Sequence, residues 1–205
     1  MDIGTLLTVA GAFFIVAASP GPANLGCALV SMRHGRRAGL QFGVGLSVGL
    51  AVWGVLAAAG LGAVLQTSEK ALIALKLIGA GYLFWLAWQS GRSAARRMAD
   101  VKPAATSARW LRQGVLLNLS NPKAVFAWMA ALAMGLDADA GVGAVGIATF
   151  VCALIGLANY LVWAVLFSAG PALRIYQRLR RWLEGVVAGL FALAGLGMLR
   201  SALTR

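Results

Sequence analysis

The segment Ser19-Pro20-Gly21-Pro22-Ala23-Asn24 interrupts a long apolar run that extends from Ile3 to about Val30. Each proline lacks an N–H and clashes with the carbonyl four residues back, so no regular helix passes through the segment. In hydrocarbon, a freed carbonyl costs on the order of several kcal/mol unless protein or trapped water satisfies it. The segment is therefore expected to face protein or a cavity rather than lipid. A second break, Asn118-Leu119-Ser120-Asn121-Pro122-Lys123, lies in the other half of the chain. The chain reads as a membrane bundle organised around these two interruptions.

Composition supports that reading. Of the 205 residues, 60% are hydrophobic and 12% charged, whereas about 25% of a soluble domain is charged. The mean hydropathy is +0.82. A soluble chain of this length lacks the interior to bury so many apolar residues. The alternation of a transmembrane barrel is absent, so the expected class is an all-α integral membrane protein. The net charge of +12 suggests nucleic acid, but the basic residues fall in three short clusters between apolar runs. That is the pattern of topology signals, and no nucleic-acid partner is expected. Cys27 and Cys152 sit in apolar runs and form no CxxC, so neither a metal nor a cofactor is expected. The start, Met1-Asp2-Ile3, has no basic n-region, which argues against a cleaved signal peptide.

Six spans account for the sequence: about Ile3 to Val30, Gly39 to Leu65, Ala71 to Trp88, Gln113 to Gly135, Ala144 to Ala169 and Trp182 to Leu199. Each is long enough to cross the hydrocarbon core. The segments after the first, third and fifth spans, including Ser31 to Arg37 and Arg174 to Arg181, read as loops and hold 13 of the 18 basic residues. The positive-inside rule puts these loops in the cytoplasm and both termini on the outer side of the membrane. Trp85, Trp88, Trp110 and Trp182 lie beside the basic segments, as interface anchors do. The lipid bilayer is thus one partner. Glycine-rich faces would serve a homodimer interface and internal packing alike.

The chain divides into residues 1–95, a cytoplasmic linker at 96–112 and residues 113–205. The two outer parts read as inverted three-helix repeats, with helices 1 and 4 interrupted. Both breaks lie about ten residues from the cytoplasmic loops, which is roughly 15 Å deep, near the midplane. Gly49-Leu50-Ala51-Val52-Trp53 echoes Gly156-Leu157-Ala158-Asn159-Tyr160, and Gly79-Ala80-Gly81 echoes Gly185 and Gly189. Interrupted spans at matching places in inverted halves point to a transporter's central site. Half-helix N-termini suit a carboxylate, and free carbonyls suit an ammonium or a coupling cation.

The residues expected at the translocation site are Pro20, Gly21, Pro22, Asn24, Tyr82, Asn118, Asn121, Pro122, Lys123, Asn159 and Tyr160. The asparagines both donate and accept, so each can bind a zwitterion or repair a broken helix. Lys123 lies deep in a span, where a cation is costly and rarely faces lipid. Its expected job is to attract a carboxylate or to stabilise the break, and Lys123→Met is expected to abolish transport. Tyr82 and Tyr160 either line the path through their hydroxyls or pack. Glu184 lies among Arg180, Arg181 and Trp182. It reads as a surface ion pair at the membrane edge or as the proton-coupling group. Lys76 is placed to snorkel, and His34 to be exposed in a loop.

These motifs resemble those of the lysine exporter (LysE/RhtB) family, across essentially the whole chain. The resemblance rests on Ser19 to Asn24, Gly35-Arg36-Arg37-Ala38-Gly39, Gly81-Tyr82-Leu83, Gly114 to Ala124 and Tyr176 to Gly185. The last of these looks like the threonine/homoserine exporter branch. One departure is Ala23. The family often has Asn directly after Pro-Gly-Pro, and here Asn24 comes one step later, about 100° round the helix. The resemblance implies export of amino acids from the cytoplasm, coupled to protons. No acid lies deep in any span to pair with a basic side chain, which favours small neutral amino acids such as threonine, homoserine or serine. The alternatives are an exporter of basic amino acids or metal ions and, from another class, an enzyme-like thiol–disulfide relay using Cys27 and Cys152.

Overall fold

The computed structural model describes residues 2–67, 69–95, 109–135, 141–169 and 172–203. Among them there are seven helices and no strands. Helix α1 spans Ile3–Ala18, α2 Pro22–Thr67, α3 Glu69–Ala95, α4 Trp110–Leu119, α5 Pro122–Gly135, α6 Val142–Phe167 and α7 Ala172–Leu203.

The helix ends follow from local chemistry. Asp2 caps α1: its carboxylate accepts from the Thr5 N–H at 2.8 Å and from the Thr5 hydroxyl at 2.7 Å. α1 stops at Ala18 because Pro20 and Pro22 follow, and Ser19 turns extended with φ −62° and ψ 144°. Pro22 then opens α2 and Pro122 opens α5, the first helical turn being where a missing N–H does no harm. Asn121 caps α5, with its side-chain oxygen accepting from the Lys123 N–H at 3.2 Å.

The expected loop at Ser31 to Arg37 is instead helical, apart from one residue. α2 passes through it with a single kink at Gly35, where φ is 83° and ψ 173°. Glycine reaches positive φ without a steric penalty, which lets one residue replace a loop. α2 therefore has two arms, residues 22–34 and 36–67. The basic segment Arg174 to Arg181 is likewise helical, forming the start of α7. Most of the expected linker, residues 96–108, lies outside the described residues, as does the side chain of Lys76.

Among the described residues, three stretches are long and apolar enough to cross a membrane: Pro22–Gly60, Val142–Phe167 and Arg181–Arg200. α1 is apolar but short because a break ends it, and α5 is short because a break begins it. The exterior is apolar, with Leu7, Phe14, Val55, Phe150, Val162 and Leu193 all exposed, while Asn24, Asn118, Asn121 and Asn159 are buried. That inside-out distribution fits an integral membrane protein.

α1 packs on α5, α2 on both α4 and α6, and α3 on α7. Glycines allow the closest of these approaches. A Cβ at Gly114 of α4 would overlap the Phe42 carbonyl oxygen of α2, and one at Gly45 of α2 would overlap that of Leu111. Gly81, Gly185 and Gly189 behave differently, with nothing within 4 Å of an added Cβ. Between α3 and α7 the close glycine is Gly195, where a Cβ would lie 3.3 Å from the Phe84 ring and 3.4 Å from the Ala80 carbonyl oxygen.

Candidate functional site

The two breaks meet. The Lys123 ammonium, at the start of α5, donates to the Ser19 carbonyl at 2.8 Å and to the Ser19 hydroxyl. Gly21 leaves room for this reach, since a Cβ there would lie 3.0 Å from Lys123 Nζ and 3.2 Å from its Cδ. The last carbonyls of a helix have no intrahelical partner. At the end of α1 they are capped by side chains from three other elements. Asn24 Nδ2 donates to the Ala17 carbonyl at 2.8 Å and the Ser19 carbonyl at 2.9 Å. Asn159 Nδ2, from α6, donates to the Ala17 carbonyl at 3.3 Å and to Asn24 Oδ1 at 3.0 Å. The Ser19 hydroxyl donates to the Val16 carbonyl at 2.7 Å. The negative end of α1 thus carries two amides and an ammonium, a favourable place for positive charge.

A second polar set lies around Asn118, which is fully buried. Its Nδ2 donates to the Leu46 carbonyl at 2.6 Å and the Tyr160 hydroxyl at 3.1 Å, and its Oδ1 accepts from Asn121 Nδ2 at 3.2 Å. Trp53 Nε1 donates to the Leu119 carbonyl, capping α4 at 3.2 Å. Trp128 Nε1 donates to the Leu50 carbonyl at 2.8 Å, and its ring stacks at a tilt on Phe13, centroids 4.6 Å apart.

Between the two sets is a cavity of about 20 Å³, enough for a single water. Its polar rim includes Gly21, Asn24, Asn121, Lys123 and Tyr160, and its apolar wall Phe13, Leu50 and Ala127. Ala23 and Asn24, in the first turn of α2, line this cavity, and the first N–H groups of a helix have no intrahelical acceptor. The arrangement offers a helix N-terminus for an anion beside a helix C-terminus that already holds a cation.

Of the residues expected at the site, Gly21, Asn24, Asn121, Lys123 and Tyr160 line the cavity, and Asn118 and Asn159 bond to them. Pro20 and Pro22 shape the break. Tyr82 lies elsewhere: it stacks on Phe126 of α5 at 3.9 Å, on the bundle's α3 side. Glu184, expected at the surface, is 3% exposed. It shares the inward stripe of α7 with Phe191 and Met198, at seven-residue spacing, so continuing the helix turns it inward. Trp85, Trp88 and Trp182 are exposed, as anchors are, but Trp110 is buried against His34 at 4.6 Å between ring centroids.

Sequence reasoning did not single out Ser19, Phe13, Trp53 or Trp128. The signal for Ser19 was its place at the last residue before two prolines. The two indoles gave none, because which way a mid-span tryptophan faces depends on its neighbours.

Cys27 and Cys152 are buried free thiols. Cys27 Sγ donates to the Tyr160 carbonyl at 3.5 Å. Tyr160 is two turns of α6 from Cys152, about 12 Å along the axis, well beyond disulfide reach. Among the described residues, no three His, Cys, Asp or Glu side chains cluster to hold a metal.

Broken helices that meet at a buried polar cavity, within an apolar exterior, define a helical membrane protein with an internal site. The chain belongs to the LysE type translocator family, whose model matches residues 14–202. It is 30% identical over 201 residues to the threonine efflux protein of Escherichia coli (strain K12), covering 95% of this chain and 97% of the relative. It is 28% identical to the threonine efflux protein of Salmonella typhimurium (strain LT2), with coverage of 95% and 97%. It is 29% identical to the leucine efflux protein of an Enterobacter species (strain 638), with coverage of 92% and 90%. No solved structure matches the chain.

Proposed function

We propose that the protein is a secondary exporter of small neutral amino acids of the threonine, homoserine and serine kind, coupled to protons, in the inner membrane of a bacterium. The observation that carries this reading is the meeting of the two breaks in one cavity. A zwitterion needs an anion site and a cation site a few ångströms apart, and here a helix N-terminus and a helix C-terminus supply both. The substrate carboxylate binds at the start of α2 and the ammonium near the Ser19 carbonyl. The apolar wall of Phe13, Leu50 and Ala127 takes an uncharged side chain. The threonine and leucine efflux relatives support an amino-acid substrate, and no acid lines the cavity to favour a basic one.

The architecture proposed for this activity is six spans in two inverted repeats, residues 1–95 and 113–205, joined by a cytoplasmic linker, with both termini periplasmic. The packing supports it. α1 lies on α5, α2 on α4 and α6, and α3 on α7, so each helix of the first half packs on helices of the second. A cavity of about 20 Å³ is too small for any amino acid, so transport requires it to widen as the halves rock.

The test is counterflow in proteoliposomes preloaded with unlabelled threonine, homoserine, serine, leucine or lysine. Labelled uptake driven by a small neutral amino acid is the expected result. Exchange of lysine alone, or silence toward every amino acid from folded protein, would refute the proposal.

A further inference from the structure

We infer that the Lys123 ammonium occupies the place of the substrate's own α-ammonium, so that a protonated Lys123 and a bound amino acid exclude each other. The inference rests on the exporter reading and adds to it the coupling group and the stoichiometry.

The chemistry is on the page. Lys123 Nζ has two acceptors, the carbonyl and the hydroxyl of Ser19. Both belong to the negative end of α1, and no carboxylate lines the cavity. Two other carbonyls at that end are occupied. Ala17 accepts from Asn24 and Asn159, and Val16 accepts from Ser19. An incoming ammonium that takes the Ser19 carbonyl, which Asn24 also caps, and the Ser19 hydroxyl takes the pair that Lys123 holds. Gly21 keeps the lysine stem against the break, where its head reaches Ser19.

The other titratable group facing Lys123 is Tyr160 of α6, whose hydroxyl accepts from Asn118. Tyr82 of α3 meets α5 at Phe126, away from the cavity lining. α1, α2 and α4 bring no ionisable side chain to the cavity.

One cycle then balances. With the site open to the cytoplasm, Lys123 gives its proton to water and a zwitterion's ammonium takes the Ser19 acceptors. With the site open to the periplasm, a proton adds to the Nζ lone pair. The ammonium of Lys123 returns to Ser19 and the zwitterion leaves. One proton enters for each amino acid expelled, and one positive charge moves inward.

The experiment follows protons on binding. Purified wild-type protein in weakly buffered detergent receives threonine, or whichever neutral amino acid the counterflow panel identifies, with a pH indicator present. Binding is expected to release up to one proton per protein. Apparent affinity, read by calorimetry, should rise with pH by up to about tenfold per unit while Lys123 is protonated. In Lys123→Met the affinity should become flat across pH and no proton should be released. Lys123→Arg, which keeps its charge at any working pH, should fail to bind. This narrows the expectation for Lys123→Met: proton-driven export is lost because the coupling group is gone.

Wild-type binding without proton release would overturn the inference, whether or not the variants fold. So would proton release that persists in Lys123→Met, or loss of all binding in folded Lys123→Met, which would make Lys123 a direct ligand of the carboxylate. A wild-type protein silent in counterflow would instead overturn the exporter reading itself.

Discussion

Replacing Gly114 by Ala tests how tightly the first and second halves are joined. The added methyl would overlap the Phe42 carbonyl oxygen and lie 2.8 Å from the Leu46 nitrogen and 3.1 Å from the Gly45 carbonyl carbon. All three contacts are backbone atoms of α2, so no side chain can swing aside. Relief requires α4 to withdraw by about 1 Å, and a gap of that size forfeits a quarter to a half of each dispersion contact along the interface. Overpacking of this kind costs about 1–3 kcal/mol. Alanine returns up to about 1 kcal/mol of helix propensity. Because the obstruction is rigid, the upper end applies, leaving a net loss of about 2 kcal/mol. For a chain of this size that lowers Tm by about 4–8 °C. Gly45→Ala should behave alike against the Leu111 carbonyl. The double variant should cost less than the sum, since one withdrawal relieves both clashes. Gly146→Ala and Gly197→Ala meet nothing within 4 Å and serve as controls that stay neutral or gain slightly. The assay is thermal unfolding in detergent, followed by tryptophan fluorescence with size-exclusion chromatography as a check. A Gly114→Ala protein as stable as wild type, or a Gly197→Ala protein equally damaged, would refute the reasoning.

Two further outcomes are expected. Trp128→Phe keeps a ring against Phe13 but loses the bond to the Leu50 carbonyl, so it should cost about 1 kcal/mol; thermal unfolding checks this, with Trp182→Phe, exposed by 78%, as the neutral control. The Thr5 N–H and hydroxyl hold the Asp2 carboxyl below the usual carboxylate range. The cap's contribution is therefore present above about pH 4 and lost as pH falls through the lowered value. An NMR titration of Asp2 that midpoints at the ordinary value would contradict it.

Much of the bundle was legible because proline leaves few choices. Pro20-Gly21-Pro22 and Asn121-Pro122 each mark where a helix must end and another begin, and α1, α2, α4 and α5 begin or end there. Buried asparagines were legible too, since a primary amide in an apolar span needs partners inside the protein. Their partners were not. Asn159 meets Asn24 across 135 positions of sequence, and only the rotation of α6 against α2 decides that. The same holds for Glu184. Its neighbours Arg180 and Arg181 suggested a surface, while the helical period carried it onto the stripe of Phe191. The loop expected at Ser31 to Arg37 failed for a different reason. Arginines and a glycine read as a turn, yet one left-handed residue was enough to reverse direction. Tyr82 looked like a pore residue because it followed glycines, and its ring stacks on Phe126 of α5.

The joint at Gly35 also sets what lengths the chain tolerates. Surface loops usually absorb insertions with little penalty. Here a single residue separates two helical arms, so there is no slack to take up an extra one. Adding one residue turns the second arm by about 100° relative to the first. That turn would carry Gly45 off Leu111 and Gly49 off Val115 together. A deletion would turn the arm the other way with the same result. In a joint of one residue, the residue count is thus fixed by the packing of the arm that follows it.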